Sequence, residues 1–393
     1  MTQPYSDNTT GLLLMIAGAK GAIASTIAVS TAVLRHGGVG GLGGLTTVDK
    51  FAALGPVDRI QFAGWDTQTR SLAEAVAYHG VLPRDLWQAH ADSLEDMAIR
   101  PAPDQSLTLE RQVESIQTDI RAFQSQYPKA RAVLVNLLPA CCDISQVHRS
   151  HSLEELLAES PQGPPDLAYA IAAVLCNVPV INFTPNTIEI KAIVDRAESN
   201  GIPLAGRDGK TGQTYFKVVL ASAFKARALE VDGWYSLNIL GNEDGRNLMD
   251  PDRACGKLQN KTSLLDDILG YGVGRKYGEP SHKVHIDYYP PRGDAKEAWD
   301  VIDFSGILGL PMSLRLNLQG RDSILAAPMV IDLARWATAL HMAGIGGPVG
   351  ELGFFFKKPV GENPGRTFQD QLLALDRLEQ RISTALDGLG IPV

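Results

Sequence analysis

Cysteine is scarce in this chain and falls into no pattern. Its four residues, Cys141, Cys142, Cys176 and Cys255, have neither the spacing of a metal knuckle nor that of a disulfide scaffold. The adjacent pair reads as two reduced thiols, which fits a cytosol. Long apolar runs are missing too. Residues 12–17 are too few for a signal-peptide core or a membrane span, and the MTQPYSDNTT before them carries no basic charge. The expectation is a cytoplasmic protein without a membrane partner. Basic charge is in deficit: 36 Lys and Arg against 44 Asp and Glu leave a formal charge of −8, which argues against nucleic acid and anionic lipid as partners. Any phosphate must be held by a local basic pocket. Two HxxH spacings, His148/His151 and His282/His285, lack the cysteine or carboxylate companions of a zinc site, so no metal ligands are assigned. No repeat and no low-complexity linker divides the 393 residues, a length that suits two domains or one large elaborated one.

What is present alternates. GLLLMIA (11–17) is a short continuous apolar run, the mark of a strand buried on both faces. A turn with Gly18, Ala19, Lys20 and Gly21 follows and leads into a helix rich in alanine and valine. Strand, glycine turn and helix N-terminus together make an anion-binding arrangement. The dinucleotide fingerprint would place glycines at i, i+2 and i+5; here they fall at Gly18 and Gly21, with Ala24 third and Lys20 between. Residues 43–49 and 59–66 read as strands ending in Asp49 and Asp66, either of which could meet a ribose hydroxyl. Residues 71–98 are helical in pattern. Residues 107–124 form an amphipathic helix with Leu109, Val113, Ile116, Ile120 and Phe123 on one stripe. Strands at 132–138, 178–183 and 202–206 alternate with helices at 165–176 and 188–199. That order implies a doubly wound parallel sheet covered on both faces.

The second half changes character. AGRDGKTGQT (205–214) tempts a P-loop reading, but Leu204 stands where that motif needs a glycine. What remains is a second glycine-rich helix start beside Lys210. The segments 234–240, 284–290 and 312–320 read as strands of a more antiparallel region, the last alternating so that one face is buried. Between the first two lie Lys257 and Lys261, four apart with no carboxylate between them. On a helix both ammonium groups share a face, which suits an anionic ligand or a lysine whose pKa is lowered by its neighbour. Helices at 323–340 and 369–386 close the chain and return to the first domain.

Several separated motifs together resemble the inositol-phosphate synthase family: AGRDGKTGQT (205–214), LGNEDGRNL (240–248), GKLQNK (256–261), RGDAK (292–296), RDSILAAPMVIDL (321–333) and FFFKKP (354–359). The amino-terminal half matches more loosely, through the turn at Gly18, the GWD at Asp66 and the NFTP at Asn182. The compact archaeal and bacterial members look closer than the eukaryotic ones. The resemblance implies a Rossmann-type NAD domain, residues 1–230 and 328–393, with an inserted α+β catalytic and oligomerisation domain at 231–327, in a homotetramer. It implies an NAD-dependent isomerase that closes glucose 6-phosphate into inositol phosphate by C5 oxidation, enolisation, aldol closure and ketone reduction. Some relatives use a divalent ion and others do not. By motif position, the catalytic residues fall on Lys257, Lys261, Lys296, Lys357 and Asp322. The cofactor set falls on Gly18, Ala19, Lys20, Gly21, Asp66, Asn136, Asp208, Thr211, Asn242, Asp244 and Asp294. Arg207 and Arg321 depart from the family pattern, so a five-membered cyclitol from fructose 6-phosphate stays open as the product. A non-catalytic NAD-binding paralogue and a simple dehydrogenase are also compatible with the fold; the presence of all four lysines speaks against the first.

Overall fold

A computed structural model describes residues 11–36, 44–140, 152–159, 164–242, 245–246, 249 and 264–391. The strands, in chain order, are Gly11–Ala17 (β1), Ile60–Asp66 (β2), Ala98–Pro101 (β3), Ala130–Asn136 (β4), Val180–Asn182 (β5), Pro203–Gly206 (β6), Glu230–Leu240 (β7), His282–Tyr288 (β8), Ala295–Ser305 (β9), Pro311–Arg321 (β10) and Gly347–Pro348 (β11). They form two sheets. One is seven-stranded and parallel, in the order β11-β6-β5-β4-β1-β2-β3; the other has four strands in the order β10-β9-β7-β8. The order of the first reverses between β1 and β4, the mark of a Rossmann-like, doubly wound sheet.

Both faces of that sheet are buried. On one side lies the helix Leu109–Gln126, whose Leu109, Val113, Ile116, Ile120 and Phe123 are all buried with Pro165–Leu175 and Lys191–Ser199. Each such side chain stabilises by roughly 1.5–3 kcal/mol. On the other side lie Ala22–Arg35, Asp322–Met342 and Phe368–Gly388. The helix Asp322–Met342 is long and apolar enough to cross a bilayer by length alone, yet most of it is buried inside the protein. It also carries two buried charges. Asp332 accepts four hydrogen bonds from the backbone N–H and hydroxyl groups of Thr46 and Thr47 at 2.6–3.1 Å, and Arg335 donates to the carbonyls of Lys50 and Gly55.

Those bonds explain one departure from the sequence reading. The described part of 43–49 is no strand, because Asp332 takes the N–H groups that a ladder would have used. Another concerns the four-stranded sheet, which as expected is mainly antiparallel, in the β10–β9 and β9–β7 pairings, with β8 alone running parallel to β7. The alternating β10, expected to bury one face, is exposed along nearly its whole length. One face of the sheet is covered by the helix Gln213–Ala226, where Val218, Ala221 and Phe224 meet Val231, Trp234 and Ile302; β10 lies at the edge beyond it.

Candidate active site

A cleft of about 520 Å³ opens at the carboxyl ends of β1, β4, β5 and β6, at the point where strand order reverses. On its first wall the chain leaves β1 through Gly18, whose φ of +85° is open to glycine without strain. A Cβ there would stand 3.1 Å from the Leu137 carbonyl oxygen, so the turn passes close to the loop after β4. Gly21 caps the helix Ala22–Arg35. Gly18, Gly21 and the first helical residues line the cleft, and the first-turn N–H groups have no intrahelical partners. Ala19, Lys20 and Asp66 stand behind this wall and are not among its lining. The Lys20 N–H donates to Asp66 Oδ2 at 2.7 Å, the Gln68 N–H to Asp66 Oδ1 at 2.8 Å, and Lys20 Nζ to the Gln68 carbonyl at 2.7 Å. Asn136 corrects the sequence reading more firmly. It is fully buried, donating to Asp166 at 2.7 Å and to Asn182 and Thr184 at longer range, and so shapes the loops without reaching the cleft.

The opposite wall is built from three distant segments. After β6, Gly209 crosses the ring of Phe183 so closely that a Cβ would lie 2.1 Å from Cζ; no side chain fits. The segment 355–358 runs back alongside, with the Lys210 N–H on the Phe355 carbonyl at 2.8 Å and the Lys357 N–H on the Asp208 carbonyl at 2.7 Å. This brings Lys357 Nζ within 2.8 Å of Asp208 Oδ1. Asp208 itself has a φ of 62°, a region aspartate tolerates better than most residues. The third segment comes from the β9–β10 register, which sets Lys296 opposite Gly320, two residues before Asp322. Lys296 Nζ therefore lies 3.1 Å from Asp322 Oδ2, and the Thr211 hydroxyl 3.3 Å from its Oδ1.

Asp294 receives the Ser323 hydroxyl at 3.2 Å and the Asn242 amide at 3.4 Å on Oδ1, while its Oδ2 is buried without a hydrogen-bond partner among the described residues. Burial pushes the Asp294 carboxyl above its ordinary range, against the two hydrogen bonds. Burial acts the same way on Asp322, but the ammonium groups of Lys296 and Lys357 and the Thr211 hydroxyl outweigh it and hold that carboxyl below its ordinary range. Two carboxyls on one wall are thus driven apart, as in sites that divide acid from base.

Of the residues singled out in the sequence, Gly18, Gly21, Asp208, Thr211, Asn242, Asp294, Asp322 and Lys357 line the cleft, and Lys296 is one contact behind through Asp322. Lys257, Lys261 and Asp244 lie outside the described residues. Lys210, expected beside the phosphate, turns away: its Nζ is buried against the Gly353 carbonyl at 3.1 Å and Gln371 Oε1 at 2.8 Å. Arg207 is tied to Thr187 and Arg321 to the Val81 carbonyl, and neither lines the cleft. The sequence reading overlooked Ser323, although it neighbours Asp322 within the quoted motif, and also Gln68 and Arg70, which follow β2 into the lining. Among the described residues no three His, Cys, Asp or Glu side chains are grouped to hold a metal ion.

A glycine turn at the switch point, faced by ammonium–carboxylate pairs, defines an α/β enzyme of Rossmann-like architecture. Residues 212–323 match the family model described as myo-inositol-1-phosphate synthase. Over an alignment 398 positions long that covers 92% of this chain and 92% of the other, the sequence is 34% identical to inositol-3-phosphate synthase 1 of Bacteroides thetaiotaomicron. To the probable inositol 3-phosphate synthase isozyme 3 of Arabidopsis thaliana it is 30% identical, over 75% of this chain and 63% of the plant protein. The solved inositol-3-phosphate synthase of Caenorhabditis elegans has the same fold, with a TM-score of 0.81 at 20% identity over 95% of this chain and 86% of that one. The chain belongs to the inositol-3-phosphate synthase family and is an enzyme of its intramolecular-lyase, isomerase type.

Proposed function

We propose that this enzyme closes glucose 6-phosphate into inositol phosphate without net redox change, with NAD in the cleft. The observation that carries the reading is the convergence of Lys357–Asp208, Lys296–Asp322 and the half-satisfied Asp294 on one wall, opposite the Gly18 turn. The glycine wall fits a dinucleotide: a Cβ at Gly18 would crowd the neighbouring loop, and the helix start offers N–H groups to a pyrophosphate. Bound NAD would accept a hydride from C5 of the open-chain sugar and return it to the ring ketone, ending as it began.

The chain's own residues do the rest. Oxidation at C5 makes the C6 protons acidic; removing one and joining C6 to the C1 aldehyde puts negative charge on oxygen at C5 and then at C1. Lys296, fixed by Asp322, supplies a preorganised ammonium for such an oxyanion, and Lys357, fixed by Asp208, supplies one for the phosphate or the aldehyde oxygen. Asp294, whose carboxyl is pushed up by burial, can hold and return a proton through Oδ2. Lys257 and Lys261 belong to the same set by motif position. The test incubates enzyme and NAD with glucose 6-phosphate, then identifies the dephosphorylated product by NMR. A six-membered inositol with flat absorbance at 340 nm is expected. Accumulating NADH would overturn the cyclase reading, and a five-membered cyclitol formed only from fructose 6-phosphate would overturn the substrate.

The same reading makes residues 231–327 an inserted domain that assembles copies of the chain into a homotetramer. Support comes from β10, an edge strand of eleven residues, with Ile307, Leu308, Leu310 and Met312 exposed in and before it. A long apolar edge of this kind is an association surface unless covered. Sparse, unpatterned cysteine supports a cytoplasmic setting. Light scattering at micromolar protein is expected to return four chains, and Leu314→Asp fewer; a monomeric mass for the unaltered protein would remove the assembly.

A further inference from the structure

Beneath the cleft lies a buried carboxylate to which the proposed reaction gives no role. Asp166 is the second residue of the helix Pro165–Leu175, 2% exposed and absent from the cleft lining. Its Oδ2 accepts two side-chain amides, from Asn136 at the end of β4 and from Asn186 beyond β5, each at 2.7 Å. Burial pushes this carboxyl above its ordinary range, and both amides oppose the shift. Without the carboxylate, two buried amide groups would be short of an acceptor.

Each of those amides carries a loop. Asn136 Oδ1 accepts the Leu138 N–H at 3.2 Å, and its amide reaches Asn182 and Thr184 at 3.3 and 3.4 Å. The Asn186 amide also donates to the Pro139 carbonyl at 2.9 Å, while the Asn186 backbone N–H donates to the Thr184 hydroxyl at 3.1 Å. The Thr184 carbonyl in turn accepts the Asp208 N–H at 2.8 Å, and the Phe183 carbonyl accepts the Gly209 N–H at 3.1 Å. The loops 137–139, 183–185 and 208–209 are thus tied to one carboxylate, and all three line the cleft. The first borders the Gly18 turn, where a Cβ would stand 3.1 Å from the Leu137 carbonyl oxygen. The last carries Asp208, which holds Lys357 Nζ at 2.8 Å. The glycine wall and the lysine wall share Asp166 as an anchor.

We propose that Asp166 is a positioning residue: by gathering Asn136 and Asn186 it sets the spacing between the glycine wall and the wall of Lys357. The proposal rests on the cyclase reading, in which dinucleotide and sugar meet between these walls and react only with their atoms about 3–3.5 Å apart. A small misplacement then costs rate more than it costs binding. Asp166→Ala is expected to lower kcat by about tenfold or more, while KM for the sugar phosphate and Kd for NAD change by less than about threefold. Rates are counted per NAD bound at saturation, so unfolded chains drop out. Asp166→Asn keeps one acceptor oxygen and is expected to recover part of the loss. Because Asp166 acts through Asn136, the double variant Asp166→Ala, Asn136→Ala is expected to be no slower than Asp166→Ala alone. Hydrogen exchange should report the loosening without any turnover, with 137–139 and 208–209 exchanging faster together in Asp166→Ala. An unchanged kcat, a KM or Kd that rises as much as kcat falls, single losses that multiply, or exchange unaltered in either loop would overturn the proposal and leave the cyclase reading standing. Should Asp166→Ala not fold, an Asp166→Asn enzyme with full kcat would overturn it in the same way. An unaltered enzyme that binds NAD but cyclises neither sugar phosphate would overturn both.

Discussion

Alanine in place of Lys296 is expected to cut turnover by about 10²–10³-fold while the dinucleotide still binds. The ammonium stands one contact behind the lining of the wall opposite the glycine turn, 3.1 Å from Asp322 Oδ2. Its loss acts twice. The developing oxyanion loses a fixed positive charge, and Asp322 loses the neighbour that does most, against burial, to hold its carboxyl low. The Asp322 carboxyl should therefore move up, and what activity remains should fall off at a higher pH on the acid side than in the unaltered enzyme. Measuring inositol phosphate formed per enzyme across pH, beside NAD binding by titration, checks both parts. Unchanged turnover would take Lys296 out of the catalytic set, and lost NAD binding would mean that the wall had collapsed rather than lost a charge.

The second large effect concerns stability. Lys210 is almost wholly buried, and burial brings its ammonium down from 10.5 to about 7; Lys217, buried beside His282, comes down to about 8, with Asp300 opposing the shift. A base with a lowered pKa in the folded protein takes up fewer protons than in the unfolded chain. Stability therefore rises with pH between the folded values and 10.5, and is flat below them. From pH 7 to pH 9 the two lysines together should add on the order of 3–4 kcal/mol. The comparison with Lys210→Met cancels the other titrating groups. Urea unfolding of the two proteins at pH 7 and pH 9 should show the variant gaining less, by on the order of 2 kcal/mol. Equal gains would mean that Lys210 keeps its ordinary affinity for a proton in spite of its burial.

The parallel sheet was legible because its signals are local. Residues 11–17 are apolar without a break, and Leu109, Val113, Ile116, Ile120 and Phe123 recur at helical spacing, so each element announces its own burial. The chain from 43 to 49 misled because it has strand composition, and what fixes it is a carboxylate nearly three hundred residues away. Lys210 misled for a related reason: a lysine after a glycine turn looks like a phosphate ligand, and only the return of 353–357 and Gln371 shows its ammonium drawn inward. For β10 the alternation was real, but periodicity tells which residues share a face and not what covers it. The wall of the cleft was readable only as separated motifs. Spacing in sequence cannot say that Lys296 meets Asp322 and Lys357 meets Asp208; the β9–β10 register and the bridge between Gly209 and Phe356 do that.

The helix Asp322–Met342 has one further consequence, for the order in which the protein is made. It packs against β1, β4, β5 and β6 and against the helix Ala22–Arg35, all of which leave the ribosome before it. At about 5–20 residues per second, the stretch from Gly206 to Asp322 takes on the order of ten seconds to synthesise. Through that interval one face of an apolar parallel sheet has been translated with only the first of its three covering helices, Ala22–Arg35. The nascent chain must pass those seconds with the rest of that face open to water, to other chains or to a chaperone, and the short edge strand β11 arrives later still.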